Sequence, residues 1–327
     1  MDSYSSPIAP RPQPPRDLPA FDYIDCWDSS REARDEVITA TVVSEPVVPR
    51  EAAPARPAGR SRLPLWLFIA TCLSTYWVAW VDSFSIVSGL QYSAAVMFIL
   101  GCHEMGHYLQ ARRYRIKASL PYFIPMPISP IGTMGAVIAM QSRMGDRKSL
   151  FDIGISGPLA GLVPTLVFCV VGLYLSKPVP VPPSGLSLGE PLLFAWLAEW
   201  IIGPVPPGQE ILLHPIAFAG WVGLLITALN LIPIGQLDGG HVLYGLVRKK
   251  AHIVARLLLL GAMVAMVLFS YWGWMLMIFL LVLIGPEHPP TANDEVRLGP
   301  VRTVLGWLTL AFIPLGFTPI PFTITGG

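Results

Sequence analysis

His103-Glu104-Met105-Gly106-His107 lies inside a stretch otherwise apolar enough to cross a membrane, and that placement constrains the fold more than any other feature. On a helix, residues four apart share a face, so His103 and His107 project together and Glu104 points beside them. The pattern H-E-x-x-H predicts two imidazole ligands for one zinc ion and a carboxylate placed to take a proton from a bound water. The preceding segment, Tyr92 to Leu100, carries no charge, and Arg112 and Arg113 come only after the second histidine. Ionisable groups at that depth are costly in lipid, so they must face a shielded interior that uses them. Two plainer readings of the pair are a metal site without catalysis and two hydrogen-bonded core histidines. A third ligand decides among them, because catalytic zinc takes three protein ligands and leaves one position for water.

Composition supports the membrane setting. Of 327 residues, 53% are hydrophobic and 13% are charged, against about 25% charged in soluble domains. A net charge of +1 argues against a nucleic-acid partner. Cys26, Cys72, Cys102 and Cys169 are too widely spaced for a thiolate cluster or a disulfide framework. Cys102, next to His103, is expected to be a packing residue.

Residues 1–62 are rich in proline and mix acids with arginines, which predicts a disordered cytoplasmic tail. The start lacks the apolar core of a secretory signal, and its acids argue against a transit peptide, so a bacterial inner (cytoplasmic) membrane is expected. Residues 63–327 form the predicted membrane domain, with its core over 92–245. Its apolar spans run from about 63–81, 92–111, 151–175, 214–245, 252–271, 272–285 and 302–318. The fourth is too long for one span and predicts a break near Pro233. The sixth is short, and the seventh carries Pro314, Pro319 and Pro321. The expected fold is an all-α polytopic membrane protein with about six to seven transmembrane helices.

Basic residues orient the set. Arg56, Arg60 and Arg62 precede the first span, Arg112, Arg113, Arg115 and Lys117 follow the second, and Arg248, Lys249 and Lys250 follow the fourth. The loops of the opposite side contribute only Lys177. This asymmetry predicts a cytoplasmic amino terminus. Between the second and third spans, Pro121, Pro125, Pro127 and Pro130 forbid an ordinary helix over the apolar Ser119–Met140. Extended backbone at membrane depth survives only against protein or a wet cavity. The segment is therefore read as a re-entrant strand or hairpin bordering the site, or else as a loop among the headgroups.

The second constellation is Asn230-Leu-Ile-Pro233-Ile-Gly-Gln-Leu237-Asp238-Gly239-Gly240-His241. Asp238 is a carboxylate in another apolar span, followed by two glycines that permit close approach. If the helices are continuous, the histidine pair lies about 10 Å and Asp238 about 15 Å from the basic residues that follow each. They can therefore meet at a similar level. Asp238 is read as the third ligand, with a capping carboxylate at a helix restart as its alternative. Asn230 is either a hydrogen-bond donor to substrate or a cap at the break. The small residues from Gly154 to Gly161 predict tight helix packing. His241 is either a partner to the ligands or a solvent-facing residue, and His288 is read as a loop residue; neither is taken into the site.

These two motifs, in this order and context, resemble the site-2 protease family of intramembrane zinc metalloproteases. The match rests on His103–His107, Asn230–Gly240 and the intervening Ser156-Gly157-Pro158-Leu159-Ala160-Gly161, and extends over most of residues 64–320. Gly132–Gly135, Ser149–Asp152, His288–Thr291 and Arg302–Trp307 are similar to the bacterial and plastid-type branch, and no PDZ-like insert is evident. The resemblance implies that His103, His107 and Asp238 bind Zn²⁺ and that Glu104 activates its water. It also implies membrane-spanning protein substrates, often shortened first by another protease. A non-catalytic zinc-binding scaffold or transporter is the alternative, and it has no need of Glu104.

Overall fold

A computed structural model describes residues 62–140, 145–181 and 185–325, all within one unit, Ala58–Gly327. The expectation for residues 1–61 lies outside the described residues, as does Arg143. The described chain is mostly helical. Four helices are long and apolar enough to cross a membrane: α1 (Leu63–Ser83), α2 (Ile86–Arg113), α3 (Arg147–Leu175) and α7 (Lys250–Leu268). Shorter helices are α4 (Leu192–Ile201), α5 (Pro215–Asn230), α6 (Asp238–Val247), α8 (Met275–Ile284), α9 (Pro300–Leu310) and α10 (Ile313–Gly316). Large apolar side chains such as Phe98, Val163, Leu257, Phe279 and Leu283 stand exposed along the outside. A water-soluble monomer does not tolerate so much apolar exterior. The chain is an integral membrane protein.

The helix boundaries have local causes. Ser85 caps α2 by accepting from the Ser88 N–H, and Arg112 and Arg113 sit in its last turn, where a cation suits the helix dipole. Asp146 caps α3 in the same way through the Ser149 N–H at 2.7 Å. The buried side of α2 reads Tyr92, Val96, Leu100, His103, His107 and Ala111, steps of three and four that form one stripe. That stripe packs on α3 and α5 around Trp221, Leu224, Leu225 and Leu173. Hence the histidines belong to the core-facing row of their helix.

The predicted long fourth span divides into α5 and α6. The residues between them, 231–237, contain Pro233 and fold so tightly that a Cβ on Gly239 falls 1.7 Å from the Leu231 carbonyl oxygen. Only glycine permits that turn. It starts α6 at Asp238, at the level reached by the histidines of α2.

The expected all-α description is too simple, because three two-stranded antiparallel sheets occur among the described residues. β1 (Tyr122–Met126) pairs with β2 (Gly132–Val137), the hairpin of the proline-rich segment. Its tip is held by hydrogen bonds from Ser74 Oγ to the Gly132 carbonyl (2.6 Å) and from the Tyr92 hydroxyl to the Ile131 carbonyl (2.7 Å). The stem, bridged at Ala118 and Met140, packs near Ala111 of α2, while the strands themselves pack chiefly on α1. The other sheets pair β3 (Lys177–Pro180) with β5 (Gln209–Leu212), and β4 (Gly185–Leu188) with β6 (Phe322–Thr325). They flank α4, a helix too short for a membrane-span pattern to reveal.

One ion pair fixes the ends of three helices. Arg302 of α9 donates Nε–H and Nη2–H to the two oxygens of Asp152 on α3, at 2.7 and 2.9 Å. The Tyr114 hydroxyl, just past α2, donates to the same carboxylate. Asp152 is buried, so Arg302→Met leaves a largely desolvated carboxylate with one donor. Because Arg302 itself is about one-third exposed, a loss of about 2 kcal/mol is expected. Thermal unfolding in detergent checks this, and an unchanged midpoint contradicts it.

Candidate metal centre

His103 and His107 occupy adjacent turns of α2, and Asp238 occupies the first turn of α6. Their side chains converge. His103 Nε2 lies 3.1 Å from Asp238 Oδ2, His107 Nε2 lies 3.2 Å from Asp238 Oδ1, and the two Nε2 atoms are 3.2 Å apart. Among the described residues, these three are the only histidine, cysteine and carboxylate side chains grouped closely enough to share an ion. A tetrahedral zinc with bonds of 2.0–2.2 Å has ligand-to-ligand edges of about 3.3–3.6 Å. The observed separations fall just inside that figure, so the donor set fits such an ion after a small outward relaxation. The capping alternative for Asp238 fails, because its carboxylate meets the imidazoles and no backbone N–H among the described residues.

The imidazoles are held in the orientation that ligation needs. His107 Nδ1–H donates to the Ile153 carbonyl of α3 at 2.8 Å. That bond places the proton on Nδ1 and leaves the Nε2 lone pair facing the cluster, the usual arrangement behind a metal-bound histidine. The glycines of α3 make room for the rings. A Cβ built on Gly157 falls 2.0 Å from His107 Nε2, and one on Gly161 falls 3.0 Å from His103 Cβ. Packing was the expected task of this glycine run, and here the packed surface is the imidazole pair itself. Gly157→Ala is therefore expected to displace the His107 ring and weaken binding of Zn²⁺ or Co²⁺ by at least about tenfold. Chelator competition measures this; unaltered affinity contradicts the fit.

Glu104 is 4% exposed. Its carboxylate has no hydrogen-bond partner among the described residues, yet no buried side-chain oxygen is left sealed and unpaired. Its oxygens therefore border a water-sized space. Asn230, at the end of α5, brings Nδ2 to 3.4 Å from His103 Nε2, which places its amide at the rim of the cluster. Cys102 lies elsewhere, lining an apolar groove between α1 and α2 with Cys72 and Phe98.

Three features were not picked out from the sequence: the Ile153 carbonyl, the Asp152–Arg302 pair and a contact between His241 and His288. His241 Nδ1 lies 2.7 Å from His288 Nε2, so His241 is no solvent-facing residue. The tetrapeptide His288-Pro289-Pro290-Thr291 was the available signal, but its partner is 47 residues away.

Comparison with known proteins agrees with this geometry. The family model described as peptidase family M50 matches residues 91–270, which include both histidines, Glu104, Asn230 and Asp238. The chain belongs to peptidase family M50. This is the site-2 protease family to which the motifs pointed. The chain is 31% identical over 248 residues to the probable zinc metalloprotease EGY1, chloroplastic, of Arabidopsis thaliana, a match covering 71% of the chain and 43% of that protein. It is 32% identical to the probable zinc metalloprotease EGY2, chloroplastic, of the same plant, over 73% of the chain and 43% of the relative. The chain thus spans less than half the length of these curated relatives.

Proposed function

We propose that this M50 chain hydrolyses peptide bonds in membrane-spanning segments of other proteins, using zinc held by His103, His107 and Asp238. The carrying observation is the convergence of three ligand atoms from α2 and α6, at separations suited to a tetrahedral ion, beside a buried carboxylate with no hydrogen-bond partner among the described residues. The names of the relatives, which call them zinc metalloproteases, support the choice of metal.

Bound zinc supplies Lewis acidity, lowering the pKa of a ligated water to about 7 and polarising a carbonyl. Glu104 takes a proton from the attacking water as its oxygen adds to the scissile carbonyl carbon. The same carboxyl group then gives that proton to the amide nitrogen as the C–N bond breaks. Asn230 offers an amide N–H to the developing oxyanion or to the substrate backbone. Packing around the histidines keeps bulk water and lipid out. A zinc-binding scaffold or transporter accounts for the ligands but gives Glu104 no task.

The substrate is a transmembrane protein, shortened beforehand by another protease, whose helix unwinds locally because intrahelical hydrogen bonds hide its carbonyls. The β1–β2 hairpin is the re-entrant element that receives it. Among the described residues nothing pairs with the outer edge of β2, and an unwound chain laid along that edge gains main-chain hydrogen bonds beside the ligands. Proline placed in turn at Gly135–Ala139 removes one N–H at a time. Positions whose N–H faces the free edge are expected to lose about tenfold or more in kcat/KM with zinc content unchanged. Unaltered cleavage throughout the scan contradicts edge pairing.

About six to seven crossings remain the proposed topology, with α5–α6 and the α8 and α9–α10 regions adding to the four long helices. Residues 1–62 are proposed as a separate cytoplasmic tail, and 63–327 as the protease domain within membrane lipid. A bacterial inner membrane is the proposed location; the chloroplast is what the relatives' names say of them. Fractionation of the tagged chain in its source decides between these locations.

A further inference from the structure

A second cavity, of about 190 Å³, lies beside the metal cluster rather than within it. Ile153, whose carbonyl holds His107, forms part of its wall, together with Ile138 and Met140 from the chain leaving β2. The polar part of the wall is His241, His288, Gln236 and Thr291, whose hydroxyl already donates to Asp294. The reaction proposed above uses none of these four side chains.

Hydrogen bonding fixes the tautomers of the histidine pair. His288 Nδ1 lies 2.5 Å from the Pro289 carbonyl, which can only accept, so Nδ1 carries the proton. Burial holds the His288 imidazole below its ordinary range, so the ring is neutral near pH 7 and its Nε2 is a lone pair. His241 Nδ1, 2.7 Å from that lone pair, must then be the donor. The chain of hydrogen bonds runs in one direction, from His241 through His288 to the Pro289 carbonyl. It leaves His241 with an unprotonated Nε2. This atom has no partner among the described residues, and it is not sealed off, because none of their fully buried side-chain nitrogens lacks a partner. His241 thus carries a fixed acceptor nitrogen on a ring that lines the cavity.

The remaining wall is apolar, from Ile116, Ile138, Met140 and Leu150. Such a space suits a group with an apolar body and one hydrogen-bond donor. Its position at the trailing end of β2 is where a chain paired along that strand next places a side chain. We propose that this cavity is a subsite for one substrate side chain, tyrosine or tryptophan, whose O–H or N–H donates to His241 Nε2. The inference rests on the proteolytic reading and deepens it into a side-chain preference.

The test uses the zinc-loaded full chain in liposomes and single-span peptides of about 20 leucine and alanine residues. Each peptide carries a central Asn-Gly pair and one tyrosine or phenylalanine at successive positions. At one position, tyrosine is expected to exceed phenylalanine by about tenfold or more in kcat/KM, since a site built around a hydroxyl discriminates against its absence. His241→Leu is expected to bring that ratio close to one, and His241→Gln, which keeps an acceptor, to restore part of it. Equal cleavage of tyrosine and phenylalanine peptides at every position overturns the subsite while leaving the protease reading intact. A ratio unchanged in His241→Leu overturns it as well. No cleavage of any peptide contradicts the proteolytic reading, and the subsite falls with it.

Discussion

Glu104→Gln is expected to keep one zinc per chain and to lose cleavage by about 10³-fold or more. The substitution keeps the shape of the side chain, so the packing of α2 on α3 and α5 is preserved. It removes only the ability to take and return a proton, which typically contributes 10²–10⁴-fold. Glu104 is buried, borders a water-sized space and meets no donor among the described residues. A structural carboxylate at this depth is expected to have a partner. Single-turnover cleavage of a membrane-anchored peptide, read beside metal analysis of the same preparation, gives the result. Retained zinc with wild-type cleavage removes Glu104 from the reaction; lost zinc with lost cleavage makes it a residue of the ligand set.

Asp238→Ala is expected to weaken zinc binding by more than about 100-fold and to abolish activity as a consequence. Loss of a group behind a ligand already costs metal sites 10–100-fold, and here a ligand itself is removed. Two neutral imidazoles remain, with neither the third donor nor its negative charge. The substituted residue sits at the start of α6, where its side chain caps nothing, so the helix is expected to persist. Helical content by circular dichroism should therefore match the wild type while chelators strip the metal readily. Wild-type metal affinity in this variant contradicts the assignment of the third ligand.

Much of the site was legible because its signals are local. Steps of three and four along Tyr92–Ala111 put His103 and His107 on the buried row of α2, and the pattern needs no knowledge of the partner helices. The break expected near Pro233 is present and Gly239 makes the close approach expected of it, whereas the helix start at Asp238 belonged to the alternative, capping reading of that residue. The four proline positions excluded a helix over Ser119–Met140, and a hairpin stands there. What escaped depends on distant contacts. Gly157 reads as a packing glycine, yet what it packs against is the ring of His107, 50 residues earlier in the chain. His288 is the loop residue expected, but the contact of its ring with His241 has no local signal. Asp152 and Arg302 are 150 residues apart, and nothing local in either segment marks them as partners. The helix α4 was missed because ten residues between prolines fall below the length at which a span pattern emerges.

X-ray absorption at the zinc edge of the purified wild-type chain reads the ligand set itself. One zinc is expected, with a first shell of nitrogen and oxygen only, at about 2.0–2.2 Å, and outer-shell scattering from two imidazole rings. A sulfur neighbour at about 2.3 Å, the mark of a cysteine ligand such as Cys102, contradicts it. A chain that takes up no zinc contradicts it as well.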